Sequence, residues 1–295
     1  MYAAIDHQIT LDLGGRNTRH LYEAASEGTP LVKAAAERLF EAADSGDRIL
    51  LSTGFPIVPP VAPETDGPLG TVVLARALGA LGATPVIVVE PMVEATISAV
   101  FGLLDCEFPI ETVDPATAAT ESLLDRHDPG AAVAVEKPGQ CADGNHRNMA
   151  GEPVSQHVAS ADTLFEQARN CGIPTVAVGD GGNEIGMGVV QSAVREHVDH
   201  GETIACVRPV DHLVVAGVSN WGAYGVVAAL SLLADEPLLH SSEDERRLIE
   251  ASLDAGCVDG VTGETLRCVD GIPSAVHAAV VDVLAEGCRA ALDGA

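Results

Sequence analysis

Short runs of β-branched and apolar residues alternate along the chain with longer amphipathic or alanine-rich segments, the pattern of a parallel sheet flanked by helices. Seven runs read as strands: RILLST (48–53), TPVIVVE (84–90), EFPIETV (107–113), AAVAVEK (131–137), IPTVAVG (173–179), TIACVR (203–208) and DHLVVAG (211–217). Their near-continuous hydrophobicity suits strands buried on both faces. Leu69 to Leu81 reads as a helix opened by Pro68, whose missing N–H costs nothing at a first helical position. Ser160 is expected to cap a helix that carries Leu164, Phe165, Ala168 and Cys171 on one face and is stopped by Gly172 and Pro174. From Trp221 onward the pattern is helical, with breaks near Pro237 and at 256–263. These elements predict an α/β fold: an open, mostly parallel sheet with helices on both faces in a Rossmann-like three-layer arrangement, a helical C-terminal third, and one domain over residues 1–295.

Composition narrows what this fold is for. The formal net charge of −27 is spread along the chain, and only two lysines, Lys33 and Lys137, stand among 43 acidic residues. Nucleic acid is therefore not an expected partner. Such self-repulsion is screened at molar salt, where the Debye length falls to about 3 Å, so the composition reads as halophilic. No run approaches the roughly 20 apolar residues of a membrane helix, and the N-terminus lacks the charged-then-apolar order of a signal peptide. No membrane partner is expected, and the expected location is the cytoplasm. Seven scattered cysteines without a CxxC pair fit free thiols in a reducing compartment, several of them as small core residues.

The polar chemistry collects just after strands, where open α/β sheets bind ligands. STGFP (52–56) and then ETDGPLG (64–70) follow the first strand. EKPGQCADGNHRNMAG (136–151), GDGGNEIGMG (179–188) and AGVSNWGAYG (216–225) follow three later ones. Five glycines within 179–188 exceed what a turn needs, and their N–H groups beside a helix N-terminus suit a carboxylate or phosphate. A bare turn capped by Asn183 or Asp180 is the plainer reading of the same residues. Asp66 suits a helix cap; Glu64 is not explained that way. Sixteen residues at 136–151 are long for a connection inside a compact domain and suit a lid or binding loop. Trp221 and Tyr224 fit a core aromatic pair or a pocket wall equally well.

Taken in order, GFP (54–56), ETDGPLG, EKPG with DGNHRNMAG, GDGGNEIGMG and GVSNWGAYG resemble the glutamate-cyclase-like C-terminal domain family, over roughly residues 40–235. The family occurs as the second half of a longer enzyme and as stand-alone prokaryotic proteins. Where it often carries an aromatic after DGN, this chain has His146. The resemblance implies interconversion of D-glutamate with 5-oxo-D-proline plus water, a carbon–oxygen lyase reaction. Such a site needs a base, an activated carboxyl group and fixed carboxylates. The candidate catalytic residues are Asp180, Glu184, Lys137 and Glu64. Candidate substrate-binding residues are Asp66, Gly67, Asp143, Asn145, Arg147, Asn148, Gly181, Gly182, Asn183, Ser219 and Asn220. Asp180 and Glu184 are also candidate ligands of a divalent metal such as Mg or Mn, and no nucleotide or organic cofactor is expected. The expected partner is a small-molecule substrate, glutamate or 5-oxoproline, and homo-oligomerisation stays open.

Two other classes share some of these features. GDGGNE also looks like the GDGxND metal segment of haloacid-dehalogenase-like phosphatases, although the first strand is followed by STGFP and not by the paired aspartates those enzymes use. A non-catalytic amino-acid-binding protein would use the same polar loops for recognition alone.

Overall fold

A computed structural model describes residues 1–116, 120 and 122–294. Six strands form one parallel sheet: β1 (Arg48–Thr53), β2 (Thr84–Val89), β3 (Ile110–Thr112), β4 (Ala131–Val135), β5 (Thr175–Gly179) and β6 (His212–Val215). Their spatial order is β3-β2-β1-β4-β5-β6. The chain starts in the middle, builds outward to β3, then crosses back to lay β4 on the other side of β1. The order therefore reverses between β1 and β4, and the loops leaving those two strands part to open a crevice.

Every residue of β4 and β5 is buried, as are five of six in β1 and β2. That explains the unbroken apolar runs, since strands covered on both faces have no solvent side to keep polar. Helix Pro68–Ala80 begins at the expected proline. It packs against helices Leu31–Asp44 and Ser219–Ala234, and the C-terminal third adds helices Ser242–Asp254 and Ser274–Asp293 with breaks where Pro237 and the 256–263 segment fall. Trp221 and Tyr224 are fully buried core residues: the indole N–H donates to His277 Nδ1 (2.8 Å) and the phenol to Glu245 (2.9 Å).

Two expectations are corrected. TIACVR is not a strand: Gly201–Ile204 is a short helix, and the rest runs as irregular chain in which Cys206 touches Cys141 through a single bridge. Its apolar residues Ile204, Ala205 and Cys206 are buried beneath loops and not in a ladder, so their hydrophobicity reports burial without strand pairing. Ser160 is not the helix cap either. The helix starts at Asp162 with Ala161 as its cap, and the Ser160 hydroxyl donates to the Asp162 carboxylate (3.0 Å).

Candidate active site

Four polar loops meet over the carboxyl ends of β1, β4 and β5. Asp66 and Asn220, 154 residues apart, hold two helix N-termini together reciprocally. The Asp66 carboxylate accepts the N–H groups of Ser219 (2.8 Å) and Asn220 (2.7 Å) at the start of helix Ser219–Ala234. The Asn220 side-chain oxygen accepts those of Gly67 (3.0 Å) and Gly70 (2.8 Å) at the start of helix Pro68–Ala80. Each side chain satisfies donors that its partner helix leaves unpaired. Gly67 has φ +91°, and a Cβ there would lie 2.7 Å from both Glu136 Cβ and Thr53 Oγ1. A side chain at 67 would therefore wedge apart the ends of β1 and β4.

Glu136 follows β4 directly, with φ +46°, a conformation most side chains avoid. The turn aims its carboxylate at the crevice, where it accepts the Ser219 hydroxyl (2.5 Å). Asp180 follows β5, and Glu64 lies on the approach to the helix after β1. Together with Asn148, Asn183, Glu184 and a wall of Phe55, Pro56, Met149 and Val261, they line a cavity of about 400 Å³.

The cation of the site comes from outside these four loops. Arg16 lines the cavity and pairs with Asp180 and, at 3.1 Å, with Asp270. It is delivered by the irregular stretch after the first helix. That stretch is pinned where Gly217 N–H donates to Ile9 C=O (2.8 Å), and a Cβ on Gly217 would collide with Leu11 C=O. Only glycine lets the N-terminal segment cross the 216–225 loop this closely.

Electrostatics here are unusual for a protein interior. Glu64, Asp66, Glu136, Asp180, Glu184 and Asp270 are all buried, and among the described residues no cationic side chain except Arg16 pairs with any of them. Burial pushes Glu64 well above the ordinary carboxylic range, and Asp270 and Asp66 add to the rise while Arg16 opposes it. Glu136 is raised by burial and then by Asp180 and Glu184. Burial likewise raises Asp180 against the pull of Arg16. Asp66 is raised to about 7 by burial and Asp270, while the Asn220 and Ser219 N–H groups hold it down. Burial alone would lower Arg16, but Asp180, Asp270 and Glu136 outweigh it and keep the guanidinium charged.

Several expected site residues have other work. Glu184 lines the cavity, yet its carboxylate is wrapped by the N–H groups of Gly181 (2.6 Å), Gly182 (2.7 Å) and Asp180 (3.2 Å). The glycine-rich turn therefore binds its own glutamate, and the N–H donors of Gly181 and Gly182 are not free for a substrate. Those of Gly67 and Gly70 are likewise taken by Asn220. Lys137 is buried against Glu90 and does not line the cavity. Arg147 turns back onto Gly151 C=O (2.6 Å) and Asp143, and Asn145 also bonds Asp143, so these three shape the long loop from its outer side. His146 is buried on Asp162 (2.9 Å), away from the cavity. Asn148 and Asn183 do face the cavity, with Asn183 anchored through its amide N–H to Arg147 C=O (2.8 Å). Ser219 reaches the site through Glu136.

The model of the family described as D-glutamate cyclase-like, C-terminal, matches residues 5–285. The chain belongs to the D-glutamate cyclase-like family. Among curated proteins it is 36% identical over 249 residues to human mitochondrial D-glutamate cyclase, covering 78% of this chain and 38% of the human protein. The chain thus spans well under half the length of that relative. The family's matched region begins before Arg16 and ends after Asp270, the two charged site residues that lie outside the sequence motifs. Arg16 follows the pair Gly14-Gly15 in an irregular stretch, and Asp270 precedes Gly271 in the tight turn between two short paired strands, with φ +55° at Asp270, so a Gly-flanked charged residue was the available signal for both.

Proposed function

We propose that this member of the family interconverts D-glutamate and 5-oxo-D-proline plus water in the carboxyl-lined cavity. The observation that carries the reading is that residues 5–285, matched to the family, contain every residue of the cavity wall together with Asp66 and Asp270 behind it. In the cyclising direction the neutral α-amine attacks the γ-carboxyl carbon. The C–N bond forms, one carboxyl oxygen leaves as water after accepting protons, and the amine loses a proton. Folding the substrate inside the cavity provides proximity, worth up to about 7 to 11 kcal/mol for well-oriented intramolecular attack.

Arg16 is the anchor for the substrate's α-carboxylate, the role that Lys137 and Arg147 cannot fill from where they lie. Glu64 is suited to carry the proton, because it lies on the cavity wall and its Oε1 has no hydrogen-bond partner among the described residues. Glu184 supports the turn that holds Asp180. The phosphatase reading lacks its nucleophile, since β1 ends in Ser52 and Thr53.

The test is turnover by purified protein in molar KCl, offered D- and L-glutamate and both 5-oxoprolines and analysed by chiral chromatography. Interconversion of the D pair is expected. No conversion of any of the four, with intact binding of one of them, would replace the enzyme reading with a binding protein.

A further inference from the structure

We propose that Asp66, Glu136 and Asp180 form a binding site for one divalent metal ion, of the hard kind that prefers oxygen ligands, such as Mn²⁺ or Mg²⁺. One carboxylate oxygen from each lies within 4.8 Å of the other two, and all three residues are buried. That spacing is about the width of an ion with two ligands on opposite sides at 2.1 to 2.4 Å, so small side-chain adjustments would close the set. The three come from the ends of β4 and β5 and from the loop after β1, which places the ion at the point where strand order reverses.

Acidic residues gather in many places without binding anything, and two further observations point to a ligand here. Asp180 Oδ2 is buried and has no hydrogen-bond partner among the described residues, its other oxygen being held by Arg16. Glu64, 5% exposed and on the cavity wall, has a carboxylate that makes no hydrogen bond or ion pair among the described residues and leaves Oε1 buried and bare. Buried polar atoms are nearly always satisfied in native proteins, so bare oxygens facing one cavity mark the place of a missing partner. The chemistry of the set selects the class: carboxylates alone, with no thiolate or imidazole in the trio, favour Mg, Mn or Ca over Zn or Cu. Glu184 is not in this set, because none of its oxygens joins the other three carboxylates within that 4.8 Å spacing. The pair suggested by the turn sequence, Asp180 with Glu184, is thereby replaced by Asp180 with two residues from other loops.

On the cyclase reading the ion would lie beside Arg16 and polarise a substrate carboxyl group, but its binding is measurable without any substrate. The experiment titrates Mn²⁺ into EDTA-stripped, dialysed protein in 1 M KCl and follows free Mn²⁺ by electron paramagnetic resonance. The high salt suppresses loose binding to the acidic surface. One tight ion per chain is expected in the parent and in the exposed-carboxylate control D143N. At least a tenfold weaker affinity is expected in E136Q and D180N, with melts confirming that both are folded. Absence of tight Mn²⁺ binding in the folded parent overturns the site, as does binding that E136Q and D180N leave unchanged. Tight binding without turnover of any glutamate or 5-oxoproline would refute the cyclase reading alone. Turnover indifferent to EDTA, by protein that binds no Mn²⁺, would refute the metal site alone.

Discussion

Asp162 and Asp180 are each 1% exposed, on the same rim of the same sheet, and the protein treats them in opposite ways. Around Asp162 the chain supplies Gln140 N–H (2.9 Å), His146 Nε2 (2.9 Å), the Ser160 hydroxyl (3.0 Å) and, farther off, Arg208. Burial would raise this carboxyl, but the His146 and Gln140 hydrogen bonds outweigh burial and lower it. Around Asp180 the neighbours include Asp270, Asp66 and Glu184, one oxygen stays bare, and burial raises the group. A buried carboxylate that is fully satisfied is a structural node, here tying the long 136–151 loop to the helix before β5. Asp180, with Arg16 on one oxygen and nothing among the described residues on the other, is the group the proposed ion would complete.

The largest effect that separates the two regions should be on turnover. Asp180→Asn keeps shape and the contact with Arg16 while removing the charge, so the rate should fall on the order of 10² to 10⁴-fold with the melting midpoint unchanged or higher. Unaltered steady-state rates would move Asp180 to the structural side of the comparison. Asp162→Ala should do the reverse in its main effect, costing on the order of 3 kcal/mol of stability by stranding buried partners, as read by urea unfolding. A loss below about 0.5 kcal/mol would mean that the hydrogen bonds at this node carry little.

The same substitution has a pH signature of known sign. Because Asp162 is lowered in the folded state, its contribution is present above the ordinary aspartate range and is lost as pH falls through its folded value. The stability gap between parent and Asp162→Ala should therefore be full at neutral pH and narrow below about pH 4. A gap that widens on acidification would show the sign to be wrong. The smallest effect should fall on both regions equally: the midpoint should rise between low and molar KCl as the −27 surface charge is screened, and a flat or falling midpoint would remove salt adaptation as the explanation of the composition.

Six of the seven strand runs were legible; β1, β2, β4 and β5 showed as near-unbroken apolar runs because the sheet buries them on both faces, whereas β3 at the edge is only partly buried. TIACVR misled because apolar chain can also be buried under loops. The convergence of the glycine-rich segments was legible from their placement after strands, since a parallel sheet sends all such loops to one edge. What local sequence does not carry is who pairs with whom. Arg16 meets Asp180 across 164 residues, and nothing in LDLGGRN points to that partner. The glycines of 179–188 correctly signalled a nest of N–H groups, but the acid that fills it, Glu184, stood inside the same motif and looked like a catalytic group. Lys137 stood out by its rarity, and rarity in this chain proved to mark a cation buried against Glu90 and not one facing the cavity.

The interlock of Asp66 with Asn220 also bears on how the molecule comes into being. Its contacts join residues some 150 positions apart, so the floor of the cavity cannot form as the chain emerges and must wait until helix Ser219–Ala234 docks onto helix Pro68–Ala80. Closing so long a loop is slow compared with local helix formation. The crowded carboxyls are thus brought together late, by a step that itself lends two opposed helix dipoles to offset their charge.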